Sequence, residues 1–144
     1  MIVYRICKTY PPDHNPLDGV GSSLRGGRWN PKGIRAVYAS ESLALAKAEL
    51  ARQRPLTLLK DYSVYEIEIA DNYLISPKIP EGWDETPPTH VSKNIGAENS
   101  SLVEKLGFFV PSVADPCKVN VVLNPLAKDF SKYVSIKSTY PFLP

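Results

Sequence analysis

Cysteine and histidine are scarce: 144 residues hold only Cys7, Cys117, His14 and His90. They show no C-x-x-C, H-x-x-x-H or comparable ligand spacing, so metal catalysis lacks the residues it needs. Two distant cysteines do not make a disulfide framework and fit reduced thiols in a cytoplasmic protein. Charge of one sign is also missing. The 17 basic and 15 acidic residues leave a net charge of +2, too small and too dispersed for direct nucleic acid binding. No run approaches the ~20 apolar residues that span a bilayer, and the first residues carry no apolar signal region, so no membrane association is expected. Glycine-rich phosphate loops are absent as well. Gly19-Val20-Gly21 is a bare G-x-G, without the Rossmann or Walker pattern, and no G-x-S-x-G elbow supports a serine hydrolase.

Proline, in contrast, is plentiful. Its 14 copies, in a chain that is 43% hydrophobic, favour short elements joined by ordered loops over long helices. A chain of this length fits one domain, spanning residues 1–144, that buries about two-thirds of the surface exposed when unfolded. The expected class is α+β: a mixed β-sheet core with a few short helices.

Residues 2–7 are β-prone and plant Arg5 on the same strand face as Val3 and Cys7. An edge strand with a solvated arginine is the plain reading there, and a ligand role for Arg5 the alternative. Residues 8–25 read as a long ordered loop. Gly26-Gly27 permits a tight turn that aims Arg28 inward, with Trp29 as its core anchor and residues 30–33 as a second turn. Residues 35–40 read as a strand in which Tyr38 is either a core aromatic or a stacking platform. Ser40 is the expected N-cap of a helix running to about Gln53. At 100° per residue, Leu45, Glu49, Ser42, Gln53, Ala46, Leu50 and Leu43 share one arc of that helix. Glu49 is thus predicted to face inward, where a carboxylate needs a partner or a function. A structural ion pair with Arg5 or Arg28 would satisfy it without any function.

Further along, YSVYEIEI at residues 62–69 alternates as a half-buried strand, with Tyr65, Ile67 and Ile69 inward and Glu66 and Glu68 outward. Residues 71–76 extend or follow it. Four prolines make residues 77–89 a rigid loop pinned by Trp83. A helix is predicted over residues 91–106, weakened at Gly96 and at Asn99-Ser100-Ser101. Strands are expected at residues 108–113, where Pro111 favours an edge or a bulge, at 119–123 and at 133–136, followed by a tail at 139–144.

Two arginines, a tyrosine, a serine and an inward glutamate suit a substrate with phosphates, a flat ring and a developing positive charge. The residues alone indicate a nucleotide or sugar-phosphate site and go no further. The order Tyr4-Arg5, GGRWN at residues 26–30, Gly33, Tyr38-Ala39-Ser40, Glu49, Val110-Pro111-Ser112 and Asn120 through Asn124-Pro125 resembles the RES-domain family over nearly the whole chain. The resemblance maps the arginine, glutamate and serine of the family name to Arg28, Glu49 and Ser112. It implies a fold similar to ADP-ribosyltransferase toxins and a toxin of a bacterial toxin–antitoxin module that degrades NAD+ by hydrolysis or phosphorolysis. On that resemblance the catalytic set is Arg28, Tyr38, Glu49 and Ser112. Arg5, Arg28 and Tyr38 bind substrate, with the arginines on pyrophosphate or ribose, Tyr38 on nicotinamide, and Ser112 orienting the substrate. NAD+ is the substrate, no cofactor is implied, and the partner is an Xre-type helix-turn-helix antitoxin. A homodimer stays open. ADP-ribosyl transfer to a protein is the alternative, although transferases acting on arginine carry an acid two positions before the glutamate, where Lys47 stands here. A non-enzymatic binding module is the third reading.

Overall fold

A computed structural model describes residues 1–9 and 14–143. Part of the predicted 8–25 loop, including Pro11-Pro12, and Pro144 of the predicted tail fall outside the described residues. The architecture is α+β. Seven strands form one sheet in the order β4-β5-β6-β2-β1-β3-β7. They are β1 (Ile2–Lys8), β2 (Val37–Ser40), β3 (Tyr62–Ile69), β4 (Leu74–Ile75), β5 (Gly107–Pro111), β6 (Val119–Leu123) and β7 (Val134–Pro141). The helices are α1 (Val20–Arg25), α2 (Leu43–Gln53), α3 (His90–Ser100) and α4 (Phe130–Tyr133), with a 3₁₀ turn at Leu56–Leu58. Neighbouring strands run antiparallel except β4 and β5, which makes the sheet mixed as expected. Among the described residues no helix is long and apolar enough to cross a membrane.

Strand alternation sets which residues reach the core. Val3, Val37, Ala39, Tyr65, Ile67, Ile69, Val121 and Leu123 join one apolar cluster, while Trp29, Ala36, Phe108, Val110 and Val122 form another. The YSVYEIEI segment folds as its pattern requires, with Tyr65, Ile67 and Ile69 buried and Glu68 exposed; Glu66 accepts a hydrogen bond from Ser138 at 2.8 Å. Where β5 meets β6, a Cβ on Gly107 would lie 2.1 Å from the Val122 carbonyl oxygen, so only glycine permits the approach.

Several boundaries differ from the sequence reading. Strand β1 is an interior strand between β2 and β3, so Arg5 is not a solvated edge residue. Residues 20–25 are helical. The turn is fastened by tertiary bonds from Ser22 Oγ to the Ala36 carbonyl (2.6 Å) and from Asn30 Nδ2 to the Ser22 carbonyl (3.1 Å), which a six-residue segment does not advertise. Helix α2 is capped by Ser42, whose Oγ accepts from the Leu45 amide at 3.1 Å, rather than by Ser40. Ser40 instead donates to Asn120 Oδ1 at 2.7 Å, and Glu41 Oε1 accepts the Val119 amide at 2.9 Å. Helix α3 stops at Ser100, six residues before the predicted end. The Asn99 and Ser101 side chains turn back onto the Ile95 and Glu98 carbonyls there, offering an alternative to the helical ladder. Strand β5 is flanked by β4 only at Gly107 and Phe108, so Pro111 lies beyond its cover on an otherwise interior strand. The supposed tail belongs to the sheet: β7 runs to Pro141, and Phe142 is buried with its amide donating to the Tyr62 carbonyl at 2.9 Å.

Candidate functional site

Strands β1 and β2 are registered at one residue pair, Tyr4 with Ser40. Continuing that register would set Ile6 opposite Tyr38. The ladder stops before that point, and the Tyr38 carbonyl receives Arg5 Nη1 at 3.0 Å instead. Arg5 therefore occupies a parting between two interior strands. Its Nε is buried and has no hydrogen-bond partner among the described residues, an arrangement that favours an acceptor brought by a ligand.

Arg28 leaves the turn opened by Gly26, whose φ of 74° suits glycine, and closed by the Gly27 amide bonding to the Asn30 carbonyl at 2.9 Å. Arg28 Nη1 donates to the carbonyls of Trp83 (3.0 Å) and Glu85 (2.7 Å), and Nη2 donates to Thr86 Oγ1 (3.2 Å). Trp29, 3% exposed, stacks on Trp83 with ring centroids 5.8 Å apart. The proline-rich loop is thus clamped by two consecutive residues, one polar and one aromatic. Of the five guanidinium N–H groups, those three bonds leave Nε–H and one N–H of Nη2. Burial and the positive charge of Arg52 push the Arg28 pKa down, while Glu49, Asp84 and Tyr38 oppose the shift. Arg28 therefore lies in the electrostatic reach of both Glu49 and Tyr38.

The Tyr38 hydroxyl donates to Asn30 Oδ1 and accepts the Trp29 amide at 3.1 Å. Burial pushes its pKa well above the ordinary tyrosine value, against weaker lowering by Trp29, Arg28 and Arg5. The residue as a whole is only half-buried, so its accessible part is ring rather than hydroxyl. With the hydroxyl held by Asn30 and Trp29, the ring is the part suited to stacking. Asn30, 1% exposed, is held by Nδ2 bonds to the carbonyls of Ser22, Pro31 and Ile34. The sequence reading treated it as a turn residue and missed that it positions Tyr38; its polar side chain beside a core tryptophan was the available signal.

Glu49 sits half-buried on α2. Its Oε1 accepts from Ser112 Oγ and from the Ala114 amide at 3.3 Å. The alternative of a structural pair with Arg5 or Arg28 does not form: among the described residues the one ion pair joins the N-terminal ammonium to Asp71. Oε2 carries no hydrogen bond among the described residues. The arc predicted for α2 holds at Leu45 and Ala46, which are buried, and fails at Gln53, which is exposed where the helix ends. Ser112 is fully buried, and its Oγ also accepts the amides of Ala114 (3.1 Å) and Asp115 (3.2 Å). It is enclosed by its own turn and bonded to Glu49.

Arg5, Arg28, Tyr38, Glu49 and Ser112 are thus linked by bonds or by charge, although they come from β1, a turn, β2, α2 and the end of β5. Cys7 and Cys117 are free thiols, with Cys7 Sγ 3.9 Å from His14 Nε2 and its pKa raised by burial. Among the described residues no three of His, Cys, Asp and Glu gather as a metal site.

A model of the RES domain matches residues 2–143. The chain is 35% identical over 139 residues to "Toxin Res" of Photorhabdus laumondii, covering 94% of this chain and 88% of that protein. It is 34% identical over 129 residues to a "Prs ADP-ribosylating toxin" of a Sphingobium species, covering 85% and 79% respectively. In structure it resembles a chain of the M. tuberculosis MbcT-MbcA toxin-antitoxin complex, with a TM-score of 0.71 at 17% identity, covering 96% of this chain and 82% of the other.

Proposed function

This chain belongs to the RES domain family, and on that premise we propose that it is the toxin of a toxin–antitoxin pair and consumes NAD+ by breaking the nicotinamide–ribose bond. The observation carrying this reading is the division of labour within Glu49: Oε1 is fixed by Ser112 and Ala114, while Oε2 has no hydrogen bond among the described residues. A carboxylate aimed in that way binds a ribose hydroxyl and stabilises an oxocarbenium-like cation. The C–N electron pair departs with nicotinamide, whose pyridinium nitrogen becomes neutral and so needs no general acid. Water or inorganic phosphate then attacks the ribose carbon, and with water a proton is released. Tyr38 offers its ring to nicotinamide, and Arg5 and Arg28 offer their remaining N–H groups to the pyrophosphate. Ser112 acts as a positioning residue for Glu49. An Xre-type antitoxin is the proposed protein partner.

Incubating the pure chain with NAD+, with and without phosphate, and measuring free nicotinamide tests this reading. Release is expected, and phosphate incorporated into the sugar product distinguishes phosphorolysis from hydrolysis. No release in either condition contradicts the proposal.

The name of the Sphingobium relative favours a second reading, ADP-ribosyl transfer to a protein. Against it, the position two residues before Glu49 is Lys47, whose Nζ lies 5.9 Å from the Phe142 ring centroid. Labelled NAD+ in lysate separates the two: label on a discrete protein supports transfer, and free products alone support degradation.

A further inference from the structure

Arg52 lies three residues past Glu49 on α2, the spacing at which a glutamate and an arginine on one helix face ordinarily pair. They do not pair. Glu49 Oε1 is taken by Ser112 and the Ala114 amide, and among the described residues the one ion pair joins the N-terminal ammonium to Asp71. The charge of Arg52, an exposed residue, is left for another acceptor. Helical side chains lean toward the N-terminus, so Arg52 runs back over Ala48, too short to block it, toward the level of Glu49.

What Arg52 meets there has its own sign. After burial, the positive charge of Arg52 does most to lower the Arg28 pKa, ahead of the opposing Glu49, Asp84 and Tyr38. Two guanidinium groups, one from α2 and one from the turn at residues 26–30, thus stand within electrostatic reach of each other and of Glu49. Among the described residues neither is ion-paired, and Arg28 spends three of its N–H groups on two carbonyls and a hydroxyl, none of which carries charge. Like charges held together cost free energy that a bound anion recovers. Paired arginine forks suit the oxygens of a phosphate in particular. We propose that Arg52 is a substrate-binding residue of this site, which with Arg28 grips a phosphate group: the pyrophosphate of NAD+ or the inorganic phosphate that serves as acceptor. The inference rests on the NAD+ reading for the source of that phosphate, but the grip itself requires no turnover.

The test titrates the full chain calorimetrically with ADP-ribose and, separately, with inorganic phosphate, using wild type, Arg52→Gln, Arg52→Lys and Lys128→Gln. Lys128, an exposed cation whose amide bonds to the Val103 carbonyl, controls for net charge alone. Arg52→Gln is expected to weaken at least one of the two ligands by about 10-fold or more. Arg52→Lys should weaken it less, because the charge stays, and Lys128→Gln should leave both affinities within about 2-fold of wild type. A loss for ADP-ribose assigns Arg52 to the pyrophosphate, and a loss confined to inorganic phosphate assigns it to the acceptor. Shifts of the Arg28 and Arg52 side-chain Nε–H signals in labelled wild type, expected with the same ligand, decide the matter even if Arg52→Gln fails to fold. Nicotinamide release enters none of these measurements, so a chain that does not cleave NAD+ fails that reading and not this one. Binding of neither ligand by wild type, equal affinities in wild type and Arg52→Gln, the same loss in Lys128→Gln, or unshifted Arg52 signals at saturation would each overturn the proposal.

Discussion

Ser112 donates its hydroxyl hydrogen to Glu49, joining the end of β5 to the middle of α2 across 63 residues of sequence. The same oxygen accepts the amides of Ala114 and Asp115. Serine is thereby both the hinge of its own turn and the support for the carboxylate. Ser112→Ala removes one donor from Glu49 and the acceptor from two amides. It should lower stability by about 1–3 kcal/mol and kcat/KM for NAD+ by at least about 10-fold, equivalent to ~1.4 kcal/mol of transition-state stabilisation. Denaturant melts and steady-state kinetics on the same preparation check both.

Arg28→Lys keeps the charge but cannot reach Trp83, Glu85 and Thr86 together, because a single ammonium lacks the planar fork. Hydrogen exchange at residues 83–86 should accelerate relative to wild type, with the sheet unchanged. Equal protection in both proteins would mean that Trp83 stacking alone holds the loop.

The pKa of Tyr38 is raised in the folded protein, so the fold favours the neutral phenol. Above the unfolded tyrosine value of about 10 the unfolded chain loses this proton first, and stability falls as pH rises from there. The contribution is complete at lower pH. Tyr38→Phe should therefore be less stable than wild type at neutral pH, by about 1–3 kcal/mol for the orphaned Asn30 and Trp29 groups, yet show a shallower alkaline decline. Melting temperatures from pH 8 to 11 test the sign.

A Cβ on Gly96 would sit 1.7 Å from the Trp29 carbonyl oxygen. Gly96→Ala must push α3 off the turn that carries Arg28 and Trp29, and it should cost about 3 kcal/mol or more, at the upper end of overpacking. Urea titration measures the loss.

Much of this was legible in the chain and some was not, for identifiable reasons. Strong alternation gave residues 62–69 and the valine-rich run gave 119–123 without error, because side-chain period alone decides them. Glu49 was placed inward from helical spacing, with an arginine pair only as the non-functional alternative, and serine was not named as its partner. Only the fold brings Ser112 within reach, since contact across 63 residues leaves no local trace. Asn30 was hidden in the same way: GGRWN looks like a turn, and the bond to Tyr38 appears only after the turn closes. The short helix α1 was missed, and the last strand was expected at 133–136 but runs on to Pro141, because tertiary bonds, and not propensity, define them. That same dependence on pairing explains why Phe142, written off as tail, is buried.

The most direct test of the central claim compares Glu49→Gln with wild type in nicotinamide release from NAD+. Glutamine keeps an oxygen for Ser112 Oγ and the Ala114 amide while removing the negative charge, so the thermal midpoint should stay close to wild type. The account predicts release reduced by at least about 100-fold, or some 2.7 kcal/mol, in a folded protein. Turnover within a few-fold of wild type, with the fold equally intact, would contradict it.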